Sequence, residues 1–167
     1  VLRSLDLFSG SGCVGLAVLK NIGEATMDFI ELDPRLKEQI ELSIVKNNIK
    51  KLRTRVMTGD TWQGAQGKYD VIFAVPPYVP QSMKEEVMSE LSSEDPLSFF
   101  DKEDGFYFHT EVLKHAREFL KDDGALYLEF DITQRERIEQ LAREHGFTNI
   151  SFFKDPYGHE CAIKLVA

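Results

Sequence analysis

Asp6-Leu7-Phe8-Ser9-Gly10-Ser11-Gly12-Cys13-Val14-Gly15 is the stretch that decides the fold of this 167-residue chain. Its glycines follow the spacing G-x-G-x-x-G, directly after the apolar run Val1 to Phe8 and directly before a helical pattern from Val14 to Asn21. Glycine at positions 10 and 12 permits a tight turn and lets a ligand approach the main chain. Glycine at 15 lets a helix pack closely on a strand. By itself the run suits a dinucleotide as well as a nucleoside-bearing cofactor, and a turn that is only a turn is the bland alternative.

Strand-like and helix-like segments alternate on either side of that turn. Thr26 to Leu32, Arg55 to Thr58, Tyr69 to Val75 and Ala125 to Phe130 read as strands. The run at Tyr69 to Val75, apolar but for Asp70, belongs in a strand covered on both faces. Helices are expected from Pro34, with Leu36, Ile40, Ile44 and Val45 at helical spacing, and over Phe106 to Leu120 and Gln134 to His145. The second of these is expected to end at Asp122-Asp123-Gly124, and the third is closed by Gly146. Ile150 to Lys154 and Cys161 to Val166 follow without an intervening helix, so they form an antiparallel hairpin. The alternation predicts an α/β fold with an open, doubly wound, mostly parallel seven-stranded sheet and that hairpin at its end. One domain is expected over residues 1–167, with a long irregular stretch from Pro80 to Asp104 rich in Ser, Glu and Asp.

Three further positions fall at the carboxyl edge of such a sheet. Glu31 ends the second strand about 20 residues beyond the glycines, where a carboxylate grips ribose hydroxyls. Asp33, just before Pro34, reads as a helix cap. Asp60, in Thr58-Gly59-Asp60-Thr61-Trp62, continues the crevice and can accept from an adenine amino group, with Trp62 as an apolar wall; a surface turn is the alternative. At the fourth strand, Ala74-Val75-Pro76-Pro77-Tyr78 halts an apolar run with two prolines and an aromatic.

Bulk properties restrict the function classes. With 43% hydrophobic and 29% charged residues the chain is a soluble globular protein, and no apolar run approaches a bilayer span. A net charge of −8 argues against a broad phosphate-binding face, so nucleic acid is not the expected partner. Lys46, Lys50, Lys51, Arg53 and Arg55 cluster in sequence and read as a solvated helix end and loop. Cys13 and Cys161 give neither a metal spacing nor a disulfide framework, which fits a reducing, cytoplasmic setting. His109, His115, His145 and His159 lie apart at helix or surface positions, so no metal site is expected. The chain opens almost directly on its first strand, as an excised domain would.

These blocks, in order, resemble the HemK/PrmC family of class I methyltransferases, which use S-adenosylmethionine to methylate glutamine in peptide release factors. The resemblance rests on Asp6 to Gly12, Glu31, Gly59-Asp60 and Pro76-Pro77-Tyr78. It extends to Glu94-Asp95-Pro96-Leu97, Glu103-Asp104-Gly105-Phe106-Tyr107, Leu128-Glu129-Phe130 with Gln134, and Lys154 to Glu160. It implies S-adenosylmethionine as donor, S-adenosylhomocysteine as product and a cofactor site of Asp6, Phe8, Ser9, Gly10, Gly12, Glu31, Leu32, Asp60, Thr61 and Trp62. It also implies an acceptor side of Val75, Pro76, Pro77 and Tyr78, a release-factor partner and a monomer. The family's N-terminal helical domain has no counterpart in these residues.

In that family an Asn stands before the two prolines. Its side-chain oxygen and the first proline's carbonyl hold the amide N–H groups so that the nitrogen lone pair faces the methyl donor. Val75 stands at that place and accepts no hydrogen bond. The resemblance therefore implies retained cofactor binding with weakened glutamine methylation. A nucleic-acid amino methyltransferase, a cofactor-binding module without activity and, last, a nicotinamide-dependent reductase are the competing readings.

Overall fold

The computed structural model describes residues 1–90 and 95–167. Seven strands, β1 (Arg3–Leu7), β2 (Thr26–Glu31), β3 (Thr54–Thr58), β4 (Tyr69–Ala74), β5 (Leu120–Glu129), β6 (Asn149–Lys154) and β7 (Glu160–Val166), form one sheet in the order β3-β2-β1-β4-β5-β7-β6. The first five run parallel, and β7 pairs antiparallel with both β5 and β6. The doubly wound sheet with a C-terminal hairpin is the architecture that the alternation predicts. The strand order reverses beside β1, which opens a crevice at the carboxyl ends of β1 and β4.

Helices α1 (Cys13–Asn21) and α2 (Pro34–Lys46) cover one face. There Leu19, Ile40, Ile44 and Ile49 pack on Met27 and Phe29 of β2. Helix α3 (Lys84–Glu90) lies in the segment after β4, and α4 (Tyr107–Phe119) and α5 (Arg135–Glu144) cover the other face. Val112, Leu113, Ala116, Ile138, Leu141 and Ala142 meet the sheet there. Burial of both faces explains why β4 reads as apolar from Val71 onward.

Local chemistry sets the element ends. Pro34 opens α2, and the Asp33 carboxylate caps it by accepting from the Arg35 amide at 2.7 Å. Asp131 and Gln134 form a capping box ahead of α5. Two members of the basic cluster are structural. Arg53 donates to the carbonyls of Leu19, Ile22 and Ala25 around the end of α1, and Arg55 pairs with Asp28 at 2.7 Å.

Three expectations need correction. The stretch from Pro80 to Asp104 is not wholly irregular, because Lys84–Glu90, which lacks Gly and Pro, forms α3. Helix α4 ends at Phe119, before Asp122-Asp123-Gly124, and those residues lie in a bulge of β5: Tyr69 pairs with Leu120, but Val71 pairs with Ala125. Phe8 is not a strand residue, since its φ of 55° turns the chain out of β1.

Candidate cofactor and acceptor crevice

Strand register sets the geometry of the crevice. Leu7 pairs with Ile30 on one side and with Ala74 on the other, so Phe8, Glu31 and Val75 leave the sheet at the same level. Glu31 itself pairs with Thr58, which carries Gly59 and Asp60 one step further along the same edge. The glycine turn, both acidic residues and the Pro-Pro-Tyr block are thus brought together by three adjacent pairings.

The turn after β1 is wound tightly. Phe8, Gly10 and Gly12 have φ of 55°, 52° and 77°, a conformation that costs a phenylalanine strain and a glycine little. Ser9 fastens the turn to two strands: its amide donates to the Ile30 carbonyl at 3.1 Å, and its hydroxyl lies 2.7 Å from the Asp6 carbonyl and 3.0 Å from that of Ile30. Beneath it, the buried Asp6 carboxylate accepts from the Gly15 amide at 2.9 Å. A β-carbon at position 15 would lie 2.3 Å from Phe29 Cε1 and 2.9 Å from Asp6 Oδ2, which is why a glycine stands there. Burial pushes the Asp6 carboxyl up to about 7; the Glu31 charge adds to this, and the Gly15 hydrogen bond opposes it.

Glu31 is buried, with its carboxylate spread between two backbone donors. Oε2 accepts from the Gly10 amide at 2.7 Å and Oε1 from the Asp33 amide at 2.9 Å. Each oxygen retains a lone pair for a further donor, so the group fits a pair of ribose hydroxyls. Leu32 follows with an exposed apolar side chain at the mouth of the crevice. Asp60 is exposed; its Oδ1 accepts from the Thr61 hydroxyl at 2.9 Å, and Lys102 Nζ stands 3.6 Å from Oδ2. Thr61 turns the chain with a φ of 46°.

Trp62 stands beside Asp60 in one cleft, with its ring tied to α4. One face of its ring stacks on Phe119 at 4.8 Å, and its Nε1–H donates to the Glu111 carbonyl at 3.0 Å. It lines a cleft of about 360 Å³ between the Asp60–Gln63 turn and α4, with Lys102 and Tyr107 at the rim. The stacking partner, Phe119, lies too far away in sequence to be read as such.

On the acceptor side Pro76 and Pro77 are buried, while Val75 and Tyr78 are half-buried. Tyr78 is held at both ends. Its hydroxyl donates to Glu129 Oε1 at 3.2 Å, and its carbonyl accepts from Gln134 Nε2 at 3.2 Å. Burial first, then the Glu129 charge, pushes the phenol up to about 12, so it stays protonated. The segment after Tyr78 returns to its start: Val79 donates to the Phe99 carbonyl at 2.8 Å, and Asp101 donates to that of Val79 at 2.9 Å.

The sequence reading left the surroundings of two residues here unread. Asp101 is fully buried, and its carboxylate accepts from the amides of Glu103, Gly105, Tyr107 and Phe108 at 2.9–3.2 Å, fixing the start of α4. An aspartate ahead of an Asp-Gly turn and a helix was the available signal. His109 is buried within α4 rather than at the surface. Of the resembled segment Glu94-Asp95-Pro96-Leu97, Glu94 lies outside the described residues. Asp95 pairs with Arg35 at 3.0 Å.

Residues 2–118 match the family described as conserved hypothetical protein 95. The chain is 29% identical over 168 residues to a bifunctional methyltransferase of Rickettsia conorii, covering 97% of this chain and 31% of that protein. It is 29% identical over 159 residues to a release factor glutamine methyltransferase of Streptococcus pneumoniae, covering 94% and 56%. The chain therefore spans between 31% and 56% of the length of these two relatives. A crystal structure of a methyltransferase from Pyrococcus furiosus superposes with a TM-score of 0.70 at 18% identity, over 98% of this chain and 74% of that one. The chain thus belongs to the family described as conserved hypothetical protein 95, and it is built on the class I methyltransferase fold.

Proposed function

We propose that this domain binds S-adenosylmethionine across the glycine turn and methylates the side-chain amide of a glutamine presented by a peptide release factor, at a rate lowered by Val75. The observation that carries the reading is the common level of Phe8, Glu31 and Val75 at the ends of three adjacent strands. The reading takes Glu31 as the ribose-binding carboxylate and the Pro76 carbonyl as an acceptor across the same crevice. The name of the Streptococcus pneumoniae relative supports the choice of acceptor.

When bound, the cofactor supplies an electrophilic methyl group on a sulfonium and departs as the thioether. The chain's own residues bind and orient. Glu31 holds the ribose hydroxyls, and Asp60 accepts from the adenine amino group once Lys102 gives way. Pro76 and Pro77 keep the backbone out of the sheet ladder, so the Pro76 carbonyl is available to an amide N–H. Tyr78, protonated and fixed at both ends, forms a wall of the acceptor pocket. Positioning supplies the rate, the proton lost from the methylated nitrogen passes to water, and no covalent enzyme intermediate is needed.

Val75 offers no second acceptor, so one amide N–H is left unpaired at a cost of roughly 1–3 kcal/mol, or about one to two decades in rate. The test is methyl transfer to a release-factor peptide by this chain and by Val75→Asn. The asparagine variant is expected to be faster by about tenfold or more with unchanged cofactor affinity. Equal rates would reject the role given to position 75, and transfer to nucleic acid instead of the peptide would reject the acceptor.

A further inference from the structure

Tyr78 is held at both ends by polar groups from separate segments that meet around His109. Its hydroxyl donates to the Glu129 carboxylate at 3.2 Å, and the Glu129 carbonyl lies 2.8 Å from His109 Nε2. His109 Nδ1 lies 3.2 Å from the Gly105 carbonyl, which accepts from Gln134 Nε2 at 2.9 Å. The same Gln134 nitrogen donates to the Tyr78 carbonyl at 3.2 Å. We propose that His109 is a positioning residue for the acceptor side of the crevice, holding Glu129 through its carbonyl and, through Glu129, the Tyr78 hydroxyl. The proposal rests on the function proposed above.

Independent features show that this cluster is built. His109 is fully buried and Gln134 nearly so. The Gln134 amide is oriented by the Asp131 amide, which donates to its Oε1 at 3.0 Å, leaving Nε2 to serve both carbonyls. Gly105 has a φ of 94°, and a β-carbon there would lie 2.7 Å from the Tyr78 carbonyl oxygen and 2.8 Å from Gln134 Nε2. A glycine is therefore what lets these three groups meet. The Tyr78 and His109 rings face each other at 6.2 Å.

A neutral imidazole has one N–H, and two carbonyls face this ring. The shorter contact assigns the proton to Nε2, donating to Glu129. The Gly105 carbonyl, already bonded to Gln134, then faces the Nδ1 lone pair. Burial holds His109 below the ordinary imidazole range, against the pull of both carbonyls and of Asp101. Asp101 approaches from the segment before α4, Glu129 from β5, and Tyr78 from the proline block; Asp131 adds its charge near the phenol. The neutral, Nε2-protonated ring is thus the working form at pH 7.

The experiment compares His109→Phe, which keeps the ring volume and removes both nitrogens, with His109→Gln, which restores a donor. Cofactor groups on β1 and β2 lie outside the cluster, so the affinity of S-adenosylhomocysteine for His109→Phe is expected within twofold of the parent. The rate of methyl transfer is expected to fall about tenfold or more, and His109→Gln is expected to recover most of it. The Tyr78 phenol, read from labelled tyrosine by NMR, is expected to titrate closer to its ordinary 10 in His109→Phe, as its hold on Glu129 loosens. A folded His109→Phe with an unchanged rate and an unmoved phenol overturns the proposal. If the unaltered chain transfers no methyl group, the proposed function fails, and the phenol titration alone decides the positioning role. If His109→Phe does not fold, the ring nitrogens of the unaltered protein decide it. Nε2 protonation at pH 7 supports the proposal, and Nδ1 protonation overturns it.

Discussion

The Glu31 carboxylate reaches from the end of β2 to the Gly10 amide, accepting its hydrogen at 2.7 Å. The residue expected to grip a ribose therefore also fixes the turn beneath that ribose. With Oε1 on the Asp33 amide, it joins the glycine turn, the crevice and the cap of α2 in one buried group. A glutamine cannot accept equally with both ends, because one end becomes an NH2 donor facing an amide donor.

Glu31→Gln is accordingly expected to cut the rise in melting temperature given by saturating S-adenosylhomocysteine, through an affinity loss of about tenfold or more. Thermal shift across a ligand series measures it. An undiminished shift would remove Glu31 from the cofactor site.

Asp6 makes stability depend on pH in a stated direction. Its carboxyl is raised from 3.8 to about 7 in the folded protein. The folded state therefore holds a proton that the unfolded chain has released, and this contribution is present below pH 3.8 and lost as pH rises through about 7. Asp6→Asn keeps an acceptor for the Gly15 amide and carries no charge. Urea unfolding at pH 5 and pH 8 should show the variant gaining on the parent at the higher pH, roughly in step with the ionisation of one group.

Gly15 admits no side chain without movement of Phe29 or Asp6. Gly15→Ala places a methyl 2.3 Å from the Phe29 ring, in the layer between α1 and β2. Overpacking of this kind costs about 1–3 kcal/mol, to be read as a lower urea midpoint at constant slope.

Asp101 gathers four amides at the entry to α4, and its bonds to those of Gly105 and Phe108 are buried. Asp101→Ala leaves those donors without their acceptor, at roughly 1–3 kcal/mol for each one that stays buried. Hydrogen exchange is expected to accelerate at Gly105, Tyr107 and Phe108 while the amides of β1 and β4 keep their protection. Unchanged exchange there would mean that the carboxylate is dispensable.

Much of this arrangement was legible in the sequence, and what was missed has physical causes. Apolar runs, the glycine spacing and Pro34 are local signals, so the alternation of strands and helices and the placing of Glu31 at a strand end follow from them directly. Asp122-Asp123-Gly124 carries a strong turn signal, but the edge of β5 absorbs it as a bulge because Leu120 already pairs with Tyr69. Helix α3 was hidden by the acidic, Ser-rich composition around it. The partners of Trp62, Asp101 and His109 went unread. Trp62 stacks on Phe119 and His109 meets the Glu129 carbonyl, partners far off in sequence, whereas the amides held by Asp101 lie only two to seven residues ahead and were open to reading. The level exit of Phe8, Glu31 and Val75 likewise depends on strand register, which apolar periodicity constrains only by face.

The most direct test of the account is calorimetric titration of the unaltered chain with S-adenosylmethionine and with S-adenosylhomocysteine. One-to-one binding of both in the micromolar range is the predicted result. No heat with either ligand, from protein that melts cooperatively, would contradict the cofactor site at Gly10, Glu31 and Asp60 and every functional claim built on it.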